Sequence, residues 1–199
     1  MNTVSRFFAA FSCIFLCSCG NAIQATTDRV TEVALGAVGI KLPGKTDAPP
    51  PIRVIDIHIE GASNLNAGEN EEGLATVMRI FKLRNPNSFL GMAYSSFGNV
   101  EKEKQALGAD LTEAREIILS PGQKLDFNEK IPAESAYVGI VALFRTPFPQ
   151  RWRFAFATKD AEHSGITIGA HACALTTTNL APHGMAVNET ALLSPVRCQ

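Results

Sequence analysis

Trp152, Phe154 and Phe156 alternate with Arg153, Ala155 and Ala157, and large side chains two residues apart share one side of a chain only when it is extended. The spacing predicts a strand with three aromatics on one face, each able to bury roughly 150–250 Å², and assigns them to a core. Stacking of bases or sugars on such a row would need exposed rings with basic neighbours. The same period recurs where Ile55, Ile57 and Ile59 alternate with Asp56, His58 and Glu60, the pattern of a strand with one wet face. Residues 75–84 carry apolar groups on both faces, as expected of a strand buried between a sheet partner and a packed helix. Further strands are predicted at residues 113–119, 124–127, 136–144, 151–157 and 165–177, parted by turn signals such as Ser120-Pro121-Gly122-Gln123. This spacing suits a β-sandwich.

Helical periodicity is confined to a short stretch. Asn85-Pro86-Asn87 breaks the second strand, and Phe89, Leu90, Ala93, Tyr94 and Phe97 follow at three- and four-residue steps. They predict a short helix capped by Asn87 or Ser88, with residues 101–107 adding a further turn or two. No other helix is expected inside the domain. Between the first two strands, residues 61–73 hold Asn64, Asn66, Gly68, Glu69, Asn70, Glu71 and Glu72, with Leu65 almost alone as an apolar group. A polar, turn-rich loop longer than a hairpin needs is a candidate for function.

The 199 residues suit one domain plus a targeting segment and a linker. Residues 7–16 form an apolar run behind Arg6, too short to cross a bilayer and typical of a signal-peptide core. It runs into Leu16-Cys17-Ser18-Cys19-Gly20, which resembles the bacterial lipobox. That resemblance implies cleavage after residue 18 and acylation of Cys19, and Gly20 after the cysteine implies the outer membrane. Several acyl chains together give a stable anchor. Val30, Val33, Ala34 and Ala37 then suggest one helix over residues 27–38, and the four prolines of residues 42–51 a stiff linker. Eighteen basic and 19 acidic side chains nearly cancel, so no large field of one sign recruits nucleic acid or an anionic membrane surface.

Catalytic patterns are not legible. His58, His163, His171 and His183 are scattered. The sharpest metal candidate joins His171 and Cys173, on one face of a strand, with His183 and Cys198; the plain alternative is a terminal strand with a partly exposed histidine. In an oxidising compartment Cys173 and Cys198 would instead close a disulfide that staples the tail to the last strand. There is no G-x-S-x-G elbow and no glycine-rich phosphate loop. The expectation is a non-enzymatic protein without cofactor, metal or small-molecule substrate.

Taken in order, Leu65-Asn66, residues 77–83 (VMRIFKL), Phe89, residues 107–111 (LGADL), Ser120-Pro121-Gly122-Gln123, Tyr137-Val138-Gly139, Phe144-Arg145 and Trp152-Arg153 resemble the type VI secretion lipoprotein family called TssJ, also known as SciN or VasD. The resemblance implies a mostly β, two-sheet sandwich of transthyretin-like type. It would have about eight strands and short helical insertions after the second strand. It implies tethering to the outer membrane facing the periplasm, and binding of the periplasmic C-terminal domain of TssM, an inner-membrane protein. The contact would lie in the loop joining the first two strands, here Leu65, Asn66, Ala67, Gly68, Glu69, Asn70, Glu71, Glu72 and Gly73. The organisation expected is a signal peptide at 1–18, a lipidated segment with helix and linker at 19–51, the sandwich at 52–178 and a tail at 179–199. A periplasmic carrier or glycan-binding sandwich, marked by a ligand-sized pocket between the sheets, and a small hydrolase, marked by a convergent acid, base and nucleophile, are the rival readings.

Overall fold

The computed structural model describes residues 51–67 and 72–198; the expected anchor, the expected helix at 27–38 and most of the proline-rich linker lie outside them. Eight strands form two four-stranded sheets. β1 (Arg53–Gly61), β4 (Lys124–Ile131), β7 (Ile166–Ala170) and β8 (Leu175–Thr176) lie in the order β4-β1-β7-β8. β2 (Thr76–Leu83), β3 (Leu111–Leu119), β5 (Tyr137–Ala142) and β6 (Arg153–Ala157) lie in the order β3-β2-β5-β6. The fold is the expected β-sandwich.

Central strand β1 pairs antiparallel with β4 and parallel with β7. Its alternation does what the sequence requires: Ile55, Ile57 and Ile59 are buried while Asp56, His58 and Glu60 stay wet. β2 is covered on both faces, because helices pack where solvent would otherwise be. Phe81 and Arg79 point at that helical layer, whereas Lys82, two strands away from the sheet edge opposite, reaches Glu129 of β4 between the sheets.

The helical layer consists of α1 (Asn87–Gly91), a 3-10 turn at Tyr94–Ser96 and α2 (Val100–Leu107). The single helix expected across residues 89–97 is interrupted because Met92 and Ala93 are extended. The cap also differs: Asn85 Oδ1 accepts the Asn87 N–H at 2.8 Å, and Ser88 Oγ instead donates to Asp110 at 2.7 Å. Arg153 donates to the Phe89, Leu90 and Met92 carbonyls, which the short helix leaves without partners. Phe81, Phe89 and Phe97 then meet edge-on or tilted at 5.4–5.7 Å. Gly139 is required beneath them, since a Cβ there would sit 2.8 Å from the Phe89 ring.

Trp152 corrects the opening expectation. Phe154 and Phe156 face the sandwich interior, whereas Trp152, one residue before β6, still accepts the Ala142 N–H of β5 at 2.9 Å but turns its ring to the helical layer. It stacks against Tyr94 and Phe97 at 4.8 and 5.3 Å, with the Arg153 guanidinium over its ring. All three aromatics are buried, on two different faces.

Two further departures concern the end of the chain. A helix, α3 (Thr158–Ser164), carries the chain from the second sheet to the first and ends at Gly165 with φ of 66°. Its sequence is too polar and short to show a helical stripe. The strand expected across 165–177 is split into β7 and β8 by a turn in which His171 N–H donates to the Ala174 carbonyl at 3.0 Å. The tail then folds back through α4 (Val187–Ala191). Arg151, buried to 4% exposure, donates to the carbonyls of Leu175, Glu189, Thr190 and Leu192, most of them at the end of α4. A Cys173–Cys198 disulfide, with Cα atoms 5.6 Å apart, closes the tail onto the body.

Charges also enter the sandwich. Lys82 and Glu129, both nearly buried, pair at 2.9 Å across the sheets, and Glu113 and Arg115 of edge strand β3 extend the group at 2.7 Å each. Burial works against the Lys82 charge, but the bonds to Glu113 and Glu129 outweigh it and hold the ammonium above its usual range. Arg115 Nε meets Glu129 at an angle that makes this an ion pair without a hydrogen bond.

Candidate functional site

The loop between β1 and β2 leaves the sheet through a neck whose parts are fixed by backbone and core. β1 ends at Gly61, where a Cβ would lie 2.7 Å from the Ser120 carbonyl oxygen. Ala62 N–H donates to the Ala170 carbonyl, and Leu65 N–H back to the Ala62 carbonyl. The Leu65 side chain is fully buried and anchors the outgoing limb in the core. The returning limb is tied to it by the Leu74 N–H, which donates to the Leu65 carbonyl at 2.7 Å. Gly73 lies so close to the outgoing limb that a Cβ would fall 2.2 Å from the Ser63 carbonyl oxygen.

Asn66 joins this neck to two other loops. Its φ of 50° is left-handed, a conformation that asparagine tolerates better than most side chains. The amide is nearly buried and bonded at both ends: Oδ1 accepts the Arg145 N–H at 2.8 Å, and Nδ2 donates to the Ala75 carbonyl at 3.3 Å. Its backbone N–H donates to the His171 carbonyl at 3.0 Å. One residue therefore holds the β1–β2 loop, the loop after β5 and the β7–β8 turn together at one end of the sandwich.

Of the nine expected docking residues, Leu65 and Asn66 are buried and build the neck; their side chains are not open to a partner. Ala67 and Gly73 are half-buried and Glu72 is exposed. Gly68, Glu69, Asn70 and Glu71 lie outside the described residues, as does Cys19. The contribution of Arg145 was not legible, because only a backbone N–H is used and the sequence carries no trace of that pairing. The tail was equally opaque: nothing marks Arg151 as a clasp for carbonyls some forty residues later.

Other chemistry finds little support. Among the described residues no group of three or more His, Cys, Asp or Glu converges to hold a metal. Cys173 is taken by the disulfide, His171 hydrogen-bonds Thr176 Oγ1 at 3.0 Å, and His183 stacks edge-on with Tyr137 at 5.3 Å. Desolvation, with the nearby positive charge of Arg151, pushes His171 below its ordinary range. Between the sheets Ile140, Phe144, Phe154 and Phe156 are buried side by side in one hydrophobic core, where a carrier would hold its ligand. No helix among the described residues is long and apolar enough to cross a membrane.

Comparison with known proteins places this architecture. The family described as "Type VI secretion lipoprotein, VasD, EvfM, TssJ" matches residues 53–173. The lipoprotein TssJ1 of the type VI secretion system of Pseudomonas aeruginosa is 22% identical, over 65% of this chain and 97% of that one, with a TM-score of 0.59. A chain of a structure described as "Type VI membrane complex" is 19% identical, over 64% of this chain and 98% of its own, at a TM-score of 0.58. A chain of a structure described as the TssM C-terminal domain of the type VI secretion system from EAEC is 19% identical, over 63% of this chain and 97% of its own, at 0.53. At these identities the structural likeness establishes the fold alone. No curated protein sequence matches significantly.

Proposed function

We infer that this chain, which belongs to the type VI secretion lipoprotein family, is a tethered docking module. In this reading Cys19 carries the acyl chains in the outer membrane, and the sandwich hangs in the periplasm. The loop at residues 65–73, with Leu65 and Asn66 as its buried supports, binds the periplasmic C-terminal domain of TssM, so that the trans-envelope complex is anchored at its outer end. Fully extended, residues 19–51 would span at most roughly 110 Å, which sets the upper limit on how far below the membrane the docking end could lie.

The observation that carries the reading is the neck of the β1–β2 loop. Leu65 in the core, the Leu74–Leu65 bond and the triple use of Asn66 hold both limbs in place, which fixes where a polar loop is presented. Pre-organised limbs lower the ordering cost of association. The sequence of that loop, with Glu69, Glu71 and Glu72, would act chiefly on encounter rate and register. A solved structure described as the TssM C-terminal domain, which holds a chain of this fold, supports the choice of partner.

The test is a titration of the chain from about Thr46 onward against the TssM C-terminal domain, with the loop intact and with residues 67–72 replaced by a short glycine turn. Binding by the first and loss in a folded second supports the site. Equal binding refutes the site, and binding by neither refutes the partner.

A further inference from the structure

Beyond the β1–β2 loop, the same end of the sandwich carries a second feature that no expectation assigned. The segment Arg145 to Gln150 follows β5 and is stitched in at two points. Asn66 Oδ1 holds the Arg145 N–H at 2.8 Å, and the Cys173 carbonyl accepts the Phe148 N–H, also at 2.8 Å. Gln150 closes the segment in the left-handed region, with φ of 62°. Arg145 and Pro149 are exposed, and Pro147 and Phe148 are half-buried.

The disulfide brings a further cation to this segment. Cys198 is bonded to Cys173, whose carbonyl holds Phe148, and its chain neighbour Arg197 lies across from the prolines. The result is a cleft of about 500 Å³ walled by Thr146, Pro147, Phe148, Pro149 and Arg197. Arg197 Nη1 donates to the Ser194 and Val196 carbonyls of its own turn at 2.7 and 2.8 Å, which steadies the guanidinium at the rim. The walls are two prolines and an aromatic ring, rigid surfaces that lose little entropy on contact; Arg197 lies on the wall, and exposed Arg145 precedes the lining Thr146 in the chain. No acidic side chain lines the cleft.

We propose that this cleft is a second docking site, taking an apolar side chain flanked by a carboxylate from the same partner that the β1–β2 loop engages. The proposal rests on the docking reading above, since Asn66 fixes the cleft segment to the neck of the docking loop. Charge complementarity selects an acidic strip: Arg145 and Arg197 would be opposed by carboxylates, whereas Glu72 on the neighbouring limb favours a cation. A partner with alternating acidic and basic groups would be fixed in register by the two halves of this end. The tail thereby acquires a role, because the disulfide and the Arg151 clasp are what place Arg197 beside Phe148.

The experiment measures affinity of the mature lipidated chain in detergent for the TssM C-terminal domain. Variants are Arg197→Glu, Arg145→Glu, Cys198→Ser and the loop replacement, with Lys104→Glu on the distant helix α2 as a charge control. The two arginine reversals are expected to weaken binding at least tenfold while the melting curve is unchanged. Cys198→Ser is expected to weaken it severalfold, as does reductant on the unmodified chain. Loss on loop replacement with no effect of either arginine reversal would overturn the second site and leave the docking reading standing. An effect of Lys104→Glu equal to the others would reduce the result to bulk charge and also overturn it. If the unmodified chain does not bind, both readings fall.

Discussion

Replacing Glu103 with leucine isolates the cost of an unpaired buried charge. Glu103 is 1% exposed; one carboxylate oxygen accepts Arg79 Nη2 at 2.6 Å and the other the Gly98 N–H at 2.8 Å. Arg79 itself is 6% exposed, and its remaining counter-ion is Glu116 at 3.0 Å, whose side chain is half in water. Removing one partner of a buried ion pair costs about 3–5 kcal/mol, and Glu116 recovers part of it, so a loss near 3 kcal/mol is expected. For a chain of this size that corresponds to a fall in melting temperature of about 6–12 °C. Urea unfolding of the chain from Thr46, followed by fluorescence of its single tryptophan, Trp152, should show a lower midpoint with an unchanged slope. The double variant Arg79→Met with Glu103→Leu removes both charges and should return to within about 1.5 kcal/mol of the parent. A loss below about 1 kcal/mol for the single variant, or a double variant as unstable as the single, would refute the reasoning.

The Cys173–Cys198 bridge closes a loop with a sequence separation of 25, and Cys198→Ser should cost about 3 kcal/mol in the chain-entropy account. Reductant should impose a similar loss on the parent and none on the variant, and equal mass after thiol alkylation with and without reductant would show the bridge absent. Acidification should act through His171, whose folded form is depressed below 6.5 by desolvation and by Arg151. Its contribution is present above pH 6.5 and falls as pH drops through the lower folded value, because the unfolded chain takes up the proton first. A urea midpoint that declines from pH 7 to pH 5, with a shallower decline in His171→Gln, is the expected result; identical slopes would exclude His171 as the cause.

The parts of the fold that were legible are those governed by local period. β1 alternates because one sheet face is wet, and β2 is apolar on both sides because helices cover it; both statements are local to a few residues. What escaped is set by pairs distant in sequence. Trp152 left its expected face because its ring packs on Tyr94 and Phe97, more than fifty residues earlier in the chain. α3 is seven residues, TKDAEHS, too few and too polar to display a stripe, yet it bridges the two sheets. At the β1–β2 end, composition marked the loop but not its neck. Leu65 and Asn66 carried the family pattern while serving as anchors, so a motif in sequence named the support rather than the surface.

That distinction bears on how such a module binds. Glu72 of the β1–β2 loop is exposed, where solvent and salt screen it, and screened charges mainly guide encounter. Affinity comes from desolvated contacts against rigid walls, and at this end those are supplied by Pro147, Phe148 and Pro149, held through Asn66 on one side and Cys173 on the other. The two fixings meet at the β7–β8 turn, where His171 accepts from Asn66 and Cys173 accepts from Phe148. A force pulling on the partner would therefore be passed to backbone hydrogen bonds of three loops and to the parallel β1–β7 pair in the middle of a sheet, rather than to a single loop. In the docking reading proposed above, this end of the sandwich is cross-tied where load on the trans-envelope complex would enter.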